Sequence, residues 1–376
     1  MQWTKAGNWY GGSWPAPVPA LPANATTGWR ALGQEFVVPL DADPGTVYVS
    51  VLNGYELTKH TSAAFANVSL VEVPPPPLRS IVLAPAYRGR VTKHGPDAVV
   101  VRAWTHLPAV PVLEAALYRS DGAGRSGPPI ASVRVVKPAA DTPIDLEFDT
   151  PPRAMLPTAG AYTLVVRCLD QPSGGGGDVT TLAETAHAIT RVADAAPDPK
   201  VWVDGRQRLV VDGALFFPIG LYYKAYAADG MNESAMSLVG ASKFNMIMPY
   251  DPETNTTNTR LAIDLAHRHG IRTMVDVVPA GLGSPGSLNG TRARIAALRD
   301  HPGVLGWYAS DERGMDCLPA LRQLYSAIAA LDPDHPSWSV FTVGQVAHIE
   351  DFIDAFDVVG TDPYPIGQVR QLRHRF

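Results

Sequence analysis

The feature that most constrains this chain is a change of rhythm near residue 200. Downstream of the Pro/Asp/Ala linker Ala193–Lys200, apolar runs of strand length alternate with segments of helical spacing. The strands read as Leu215–Leu221, Phe244–Pro249, Arg272–Val278, Val304–Ser310, Trp338–Val343 and Val358–Thr361. Helices read near Glu233–Ala241, Thr259–His269, Leu288–Asp300, Leu318–Leu331 and Ile349–Ala355. Parallel strands need a crossover of a dozen or so residues, usually a helix, so this alternation predicts βα units and a parallel sheet. In the second of these helices Leu261, Ala262, Leu265 and Ala266 read as one apolar stripe, and Gly270 sits where a left-handed C-terminal cap is cheapest.

Upstream the period is that of antiparallel sheets. Between Leu78 and about Val192 the runs Ala98–Trp104, Leu113–Tyr118, Ile130–Val136, Ile144–Phe148, Tyr162–Cys168 and Ala183–Ile189 are separated by Gly, Pro and Asp clusters. Such spacing predicts a β-sandwich, with Gly174–Gly177 as a hairpin tip. Within it, Gly160-Ala-Tyr-Thr-Leu-Val-Val-Arg resembles the penultimate strand of an immunoglobulin-like fold, where a Tyr at the strand start ties its hydroxyl to the corner backbone. Further upstream, Gln34–Pro39, Thr46–Asn53 and Ala63–Val73 read as strands that end at Pro74–Pro77. The stretches Trp29–Pro39, Val47–Leu52 and Ala64–Leu70 resemble the closing strands of a galactose-binding-like jelly-roll carbohydrate-binding module. The expected division is therefore 1–75 partial jelly-roll, 78–193 immunoglobulin-like sandwich and 200–376 an incomplete (β/α) barrel, a multidomain chain with an all-β first half and an α/β second half.

Composition removes several functional classes. A formal net charge of −5 offers no attraction to a polyanion, and the basic cluster Arg370, Arg373, His374 and Arg375 reads as a solvated tail, so no nucleic-acid partner is expected. No run approaches the ~18 apolar residues of a membrane span. Five of the nine asparagines, Asn24, Asn67, Asn232, Asn255 and Asn289, open an N-x-S/T triplet. That enrichment predicts a glycosylated, secreted or extracellular protein, with no signal peptide in this chain and residues expected before Met1. The two cysteines, Cys168 and Cys317, fall in different expected domains and read as thiols rather than a bridge.

In a (β/α) barrel the reactive groups come from the C-terminal ends of the strands, because that rim collects the βα loops. Read in chain order, those ends offer Tyr222, Tyr223 and Lys224, then Tyr250 and Asp251, then Asp276, then Asp311 and Glu312, and finally Asp362 and Tyr364. The stretch Val211-Asp-Gly-Ala-Leu-Phe-Phe-Pro-Ile-Gly-Leu-Tyr-Tyr resembles the first barrel strand of the glycoside-hydrolase clan that works with two glutamates. More specifically, His301-Pro-Gly-Val-Leu-Gly-Trp-Tyr-Ala-Ser-Asp-Glu is similar to that clan's fourth strand, and Val358-Val-Gly-Thr-Asp-Pro-Tyr-Pro to its sixth. The resemblance implies an eight-stranded barrel of which about six βα units are present, and a retaining hydrolase of O-glycosidic bonds.

By the same resemblance Glu312 is the acid/base, which requires a raised pKa in a partly desolvated cleft. Asp311, Tyr222, Tyr223, Asp251, Asp276, Asp362 and Tyr364 are expected to bind a poly- or oligosaccharide. The competing local reading is that Asp311 and Glu312 only favour the positive end of a helix beginning near Asp316. Trp307, inside a strand, reads as core rather than as a sugar platform. The clan's nucleophile comes from a seventh strand, so the chain as it stands is expected to be inactive. A second functional class stays open, a structural glycoprotein that uses the barrel as a scaffold among other extracellular matrix or surface proteins. The carboxylates Asp251, Asp276, Asp311, Glu312 and Asp362 could ring a divalent ion, but no clustered His supports one, since His267 and His269 read as exterior. Neither a metal nor a cofactor is expected.

Overall fold

A computed structural model describes residues 2–5, 8–12, 76–85, 87–95, 97–107, 112–121, 125–136, 142–170, 179–223, 231–249, 256–279, 282–283, 286–346 and 349–362. Most of the expected jelly-roll portion, with Asn24 and Asn67, lies outside these residues, as do Gly174–Gly177, Tyr250, Asp251, Asn255, Tyr364 and the basic cluster at the C-terminus. At the N-terminus β1 (Gln2–Lys5) and β2 (Asn8–Gly12) pair antiparallel.

The next unit is a two-layer sandwich. Its strands are β3 (Leu78–Ala84), β4 (Arg90–Val91), β5 (Val99–Thr105), β6 (Val112–Ser120), β7 (Arg125–Val135), β8 (Ile144–Phe148), β9 (Gly160–Asp170) and β10 (Thr180–Arg191). One sheet runs β3-β5-β8 and the other β4-β10-β9-β6-β7. Strict alternation in β5 buries Val99, Val101 and Ala103 against Leu113, Leu117, Leu146, Leu164 and Ile189, so both sheets share one core. A single helical turn, α1 (Pro152–Met155), adds Met155 and Leu156 to that core. The Tyr162 hydroxyl donates to the Thr158 carbonyl at 2.7 Å, the corner tie that its position at the start of β9 suggested. The outer face of β6 departs from simple alternation, because Glu114 is buried there. Its carboxylate accepts from Arg134 at 2.7 Å and from Arg167 at 3.2 Å, which satisfies it.

A short antiparallel meander follows, β11 (Val201–Val203), β12 (Leu209–Val211) and β13 (Ala214–Leu215). Then come β14 (Gly220–Tyr223), α2 (Glu233–Gly240), β15 (Met246–Pro249), α3 (Thr256–Arg268), β16 (Arg272–Asp276), α4 (Leu288–Leu298) and β17 (Val304–Asp311). The remainder is α5 (Leu318–Leu331), β18 (Ser337–Thr342), α6 (Val343–Val346), α7 (Ile349–Phe352) and β19 (Val358–Asp362). The six strands from β14 to β19 are all parallel, and their order in the sheet is their order in the chain. A doubly wound sheet would reverse direction at a switch point; this one winds one way and curls into a half-barrel. Accordingly Val275, Val277, Trp307, Ala309 and Phe341 pack against the helices, whereas Met248, Met274, Tyr308 and Val340 pack on the other face with Val201 and Val211 of the meander.

Two expectations need correction. The first strand does not run through Leu215–Leu221. Pro218 has no N–H for a ladder, so Leu215 closes the meander and the parallel strand begins at Gly220. Between them Asn245 stands in for a neighbouring strand, its Oδ1 accepting from the Ile219 N–H at 2.8 Å and its Nδ2 donating to the Phe217 carbonyl at 2.8 Å. In α3 the buried stripe is Thr259, Ala262, Ile263 and Ala266, and Leu261 is 62% exposed. The helix starts three residues earlier than expected, and the i, i+3, i+4, i+7 set that faces the sheet leaves Leu261 on the far side. Its end is as expected: Gly270 takes φ 74°, with Gly270 N–H donating to His267 O and Ile271 N–H to Ala266 O, a Schellman cap.

Candidate active site

Side chains on paired positions of parallel strands face the same way, so the register assigns each strand-end residue to a face. Tyr222 pairs with Met248, Asp276 with Tyr308, Tyr308 with Trp338, and Asp311 with Val340. Val340 pairs in turn with Gly360, and Thr342 with Asp362. Since Met248, Tyr308 and Val340 lie on the concave face, Tyr222, Asp276, Asp311 and Asp362 belong to it as well.

Strict alternation along β17 would put Tyr308 and Asp311 on opposite faces. The register instead slips between Tyr308 and Ser310, one extra residue in β17, and this bulge brings both to the concave side. Bulges of this kind re-aim side chains at barrel rims. Tyr308 thus joins Asp311 on the concave face, a neighbour that the strand-end residues alone did not identify. Trp307 itself faces the helices, its Nε1 donating to Asp332 Oδ2 at 2.8 Å.

Glu312 stands just past the end of β17 and its backbone is held on both sides. Its N–H donates to the Val340 carbonyl at 2.9 Å, and its own carbonyl accepts from Gln345 Nε2 at 3.0 Å. The residue takes φ 50°, a left-handed conformation that costs a non-glycine residue roughly 1–3 kcal/mol. Gln345 was not legible as a site residue, because its role is to hold main chain across 33 residues.

The electrostatics join five side chains. The Glu312 carboxyl is raised above the ordinary glutamate range, first by partial burial and then by the negative charges of Asp311 and Asp362. Because Glu312 is exposed at the rim, the desolvation is incomplete and the two carboxylate neighbours matter to the result. Tyr222, 62% exposed, places its hydroxyl 3.4 Å from that of buried Tyr308. Burial raises the Tyr222 hydroxyl; the Tyr308 hydrogen bond lowers it in part, and Asp311, Asp362 and Glu312 raise it again. Tyr308 is held far above an ordinary tyrosine by burial, by Tyr222 and by Asp311, so it stays protonated and able to donate.

The other expected site residues fall as follows. Asp276 reaches the concave face but is only 4% exposed, and its Oδ1 accepts from the Val278 N–H at 2.8 Å, so it shapes the end of β16. Tyr223 is not part of the cluster: it packs with Leu221 and Phe244 against Met236, Val239 and Ile247 on the helix side, because the residue after inward-facing Tyr222 must point outward. Of the sequon asparagines, Asn232 is the N-cap of α2, accepting from the Ala235 N–H at 2.9 Å, and Asn289 is exposed near the start of α4. Among the described residues no group of three His, Cys, Asp or Glu is disposed to hold a metal ion, and no helix is long and apolar enough to cross a membrane.

No protein-family model matches the chain, and no curated protein matches it. Among solved structures it is similar to the β-D-glucuronidase of Dictyoglomus thermophilum, at 14% identity and a TM-score of 0.35, over 74% of this chain and 47% of that one. It is similar also to a glycosyl hydrolase family 2 member from Bacteroides cellulosilyticus, at 15% identity and a TM-score of 0.35, over 79% of this chain and 38% of that one. The β-glucuronidase of Parabacteroides merdae gives 14% identity and a TM-score of 0.32 over 71% and 34%. The chain spans less than half the length of each of these proteins. At such TM-scores the overlaps carry no weight for the site, which stands on strand order, register and charge.

Proposed function

We propose that this chain belongs to a glycoside-hydrolase-like protein that binds an O-glycosidic poly- or oligosaccharide at the mouth of the half-barrel, with Glu312 as acid/base. The observation that carries the reading is a single exposed carboxyl at the end of a central parallel strand, raised by its surroundings and set in a left-handed backbone conformation beside Asp311 and Asp362. A raised carboxyl can protonate the departing glycosidic oxygen and, once ionised, take a proton from water. Asp311 and Asp362 accept hydrogen bonds from sugar hydroxyls, Tyr308 orients Asp311, and the exposed ring of Tyr222 stacks on a sugar face. Asp251 and Tyr364 follow the same strand ends in sequence and belong to the same proposal.

In this reading the sandwich is immunoglobulin-like, with β3-β5-β8 opposite β4-β10-β9-β6-β7, and the residues before it form a jelly-roll-like module. The half-barrel is six of eight βα units, and the five sequons mark a secreted glycoprotein. Retention requires a second carboxyl about 5–5.5 Å from the first. No described residue is assigned that role. The test is Glu312→Gln in the full-length protein, assayed on glycosides with unactivated leaving groups. General acid–base catalysis supplies about 10²–10⁴-fold, and a loss of that size is expected. Hydrolysis at the unaltered rate would remove Glu312 from the mechanism.

A further inference from the structure

The half-barrel is gripped from below by the sandwich. The turn between β3 and β4 holds Arg88 and Gly89 in left-handed conformations, φ 52° and 60°. A Cβ on Gly89 would lie 2.4 Å from the Ala188 carbonyl oxygen, so the turn fits against β10 only with glycine there. Its carbonyl accepts from the Thr190 N–H at 2.9 Å, which fixes the turn to the sandwich. From this turn the Arg88 side chain, 7% exposed, enters the half-barrel and meets the fully buried carboxylate of Asp357.

Every bond that the guanidinium makes there goes to the loops that start β18 and β19. It donates to Asp357 Oδ2 at 2.8 Å, to the Asp332 carbonyl at 2.7 Å and to the His335 carbonyl at 2.7 Å. Asp357 accepts in addition from Tyr325 at 3.0 Å and from the Ser337 N–H at 2.8 Å. Among the described residues the strand that follows, β19, pairs with β18 along its whole length, and its outer-facing Val359 and Thr361 are exposed. At the far end of that strand stands Asp362.

We propose that Arg88 is a positioning residue which the sandwich supplies to the candidate site: by fixing the starts of β18 and β19 it sets where Asp362 stands relative to Asp311 and Glu312. The sandwich is then a working part of the site and not a spacer. Arg88 acts through the strand, because five residues at ~3.3 Å each separate Asp357 from Asp362 by about 16 Å. At that separation Arg88 and Asp357 present opposite charges side by side, and their fields at the site largely cancel. The inference rests on Glu312 being the reactive carboxyl but not on any measured hydrolysis.

The experiment is a carbon-detected NMR titration of the Glu312 side chain, its signal identified by loss in Glu312→Gln, in the wild type and in Arg88→Gln. Releasing β19 takes Asp362 away from Glu312, so the Glu312 pKa is expected to fall towards that of an ordinary glutamate. The sign discriminates between causes: deleting a cation and uncovering Asp357 would, through direct charge, move Glu312 upward. Tyr325→Phe removes one bond to Asp357 and is expected to shift Glu312 the same way by less, which keeps the test open if Arg88→Gln does not fold. Arg102→Gln breaks an exposed contact between the two units, to Glu350 at 2.8 Å, and is expected to leave Glu312 unmoved. An unchanged or raised Glu312 pKa in folded Arg88→Gln and Tyr325→Phe, or an equal fall in Arg102→Gln, would overturn the proposal. Absence of hydrolysis in every form of the protein leaves these titrations readable, so the two proposals fail separately.

Discussion

Gly360 and Gly290 make a paired test of the concave face, because the same substitution is expected to act with opposite signs. At Gly360, in β19, an added Cβ would sit 2.5 Å from Trp338 Nε1 and 2.8 Å from Val340 Cγ2. Such crowding of a packed face costs about 1–3 kcal/mol. Replacing glycine by alanine also removes unfolded-state freedom, worth about 0.4–1 kcal/mol in favour of the variant. The Trp338 ring is only partly buried and can yield, whereas Val340 is buried, so the net for Gly360→Ala is a loss of roughly 0.5–2 kcal/mol. At Gly290, in α4, nothing lies within 4 Å of the added atom, so Gly290→Ala has only the favourable contribution and is expected to gain about 0.5–1 kcal/mol. Urea unfolding followed by far-ultraviolet circular dichroism measures both against the wild type. If Gly360→Ala is as stable as the wild type while Gly290→Ala is stabilised, Trp338 does not cover Gly360, and the placement of β19 that gives Asp362 its face is wrong.

Two further predictions bear on the sandwich and on the rim. Tyr162→Phe keeps the buried ring but loses the hydroxyl bond to the Thr158 carbonyl at 2.7 Å; a loss of about 0.5–1.5 kcal/mol is expected in thermal unfolding, and an unchanged midpoint would show that the corner contributes nothing. Glu312→Gln should raise the melting temperature at neutral pH. The folded-state pKa of Glu312 lies above its unfolded value, so its favourable contribution is present only below the unfolded pKa and is lost as pH rises through the folded one. The advantage of the variant should therefore shrink as the solution is acidified through the glutamate range, and a variant less stable than wild type at pH 7 would contradict the assigned sign.

The βα order was legible because each strand–helix unit carries its own signals. Gly270 as a C-terminal cap and Leu318–Leu331 as a helix follow from local pattern alone, and both stand as read. Tyr162 was legible for the same reason, its partner lying four residues away. What could not be read depends on pairing between distant segments. The bulge in β17 that puts Tyr308 and Asp311 on one face exists only against β18, and no periodicity within β17 encodes it. Tyr223 was misplaced because adjacent tyrosines at a strand end look alike until the neighbouring strand fixes which of them faces inward. Arg88, 269 residues from Asp357, is an ordinary loop arginine in sequence, and only the docking of the two units makes it a buried partner.

The two ends of the half-barrel treat charge in opposite ways. At the floor two buried carboxylates are matched: Asp357 meets Arg88, and Asp332 is lowered below its ordinary range, despite burial, by His335, by the Asp334 N–H and by Trp307. An unpaired ion in that position would cost several kcal/mol, so these contacts read as support for the fold. At the rim the influences on Glu312 all act in one direction, burial and two negative neighbours, and its backbone is strained as well. Stability alone would favour glutamine there, or a nearby arginine. Barrel enzymes divide their labour in this way, with support on one rim and chemistry on the other, and a carboxyl held against its own stability is what proton transfer to a leaving oxygen requires. The 3-10 turn Met315–Cys317 that follows runs directly into α5 at Leu318, so a helix begins where the helix-end reading places it; what that reading leaves unexplained is the strained, charge-crowded position of Glu312 itself.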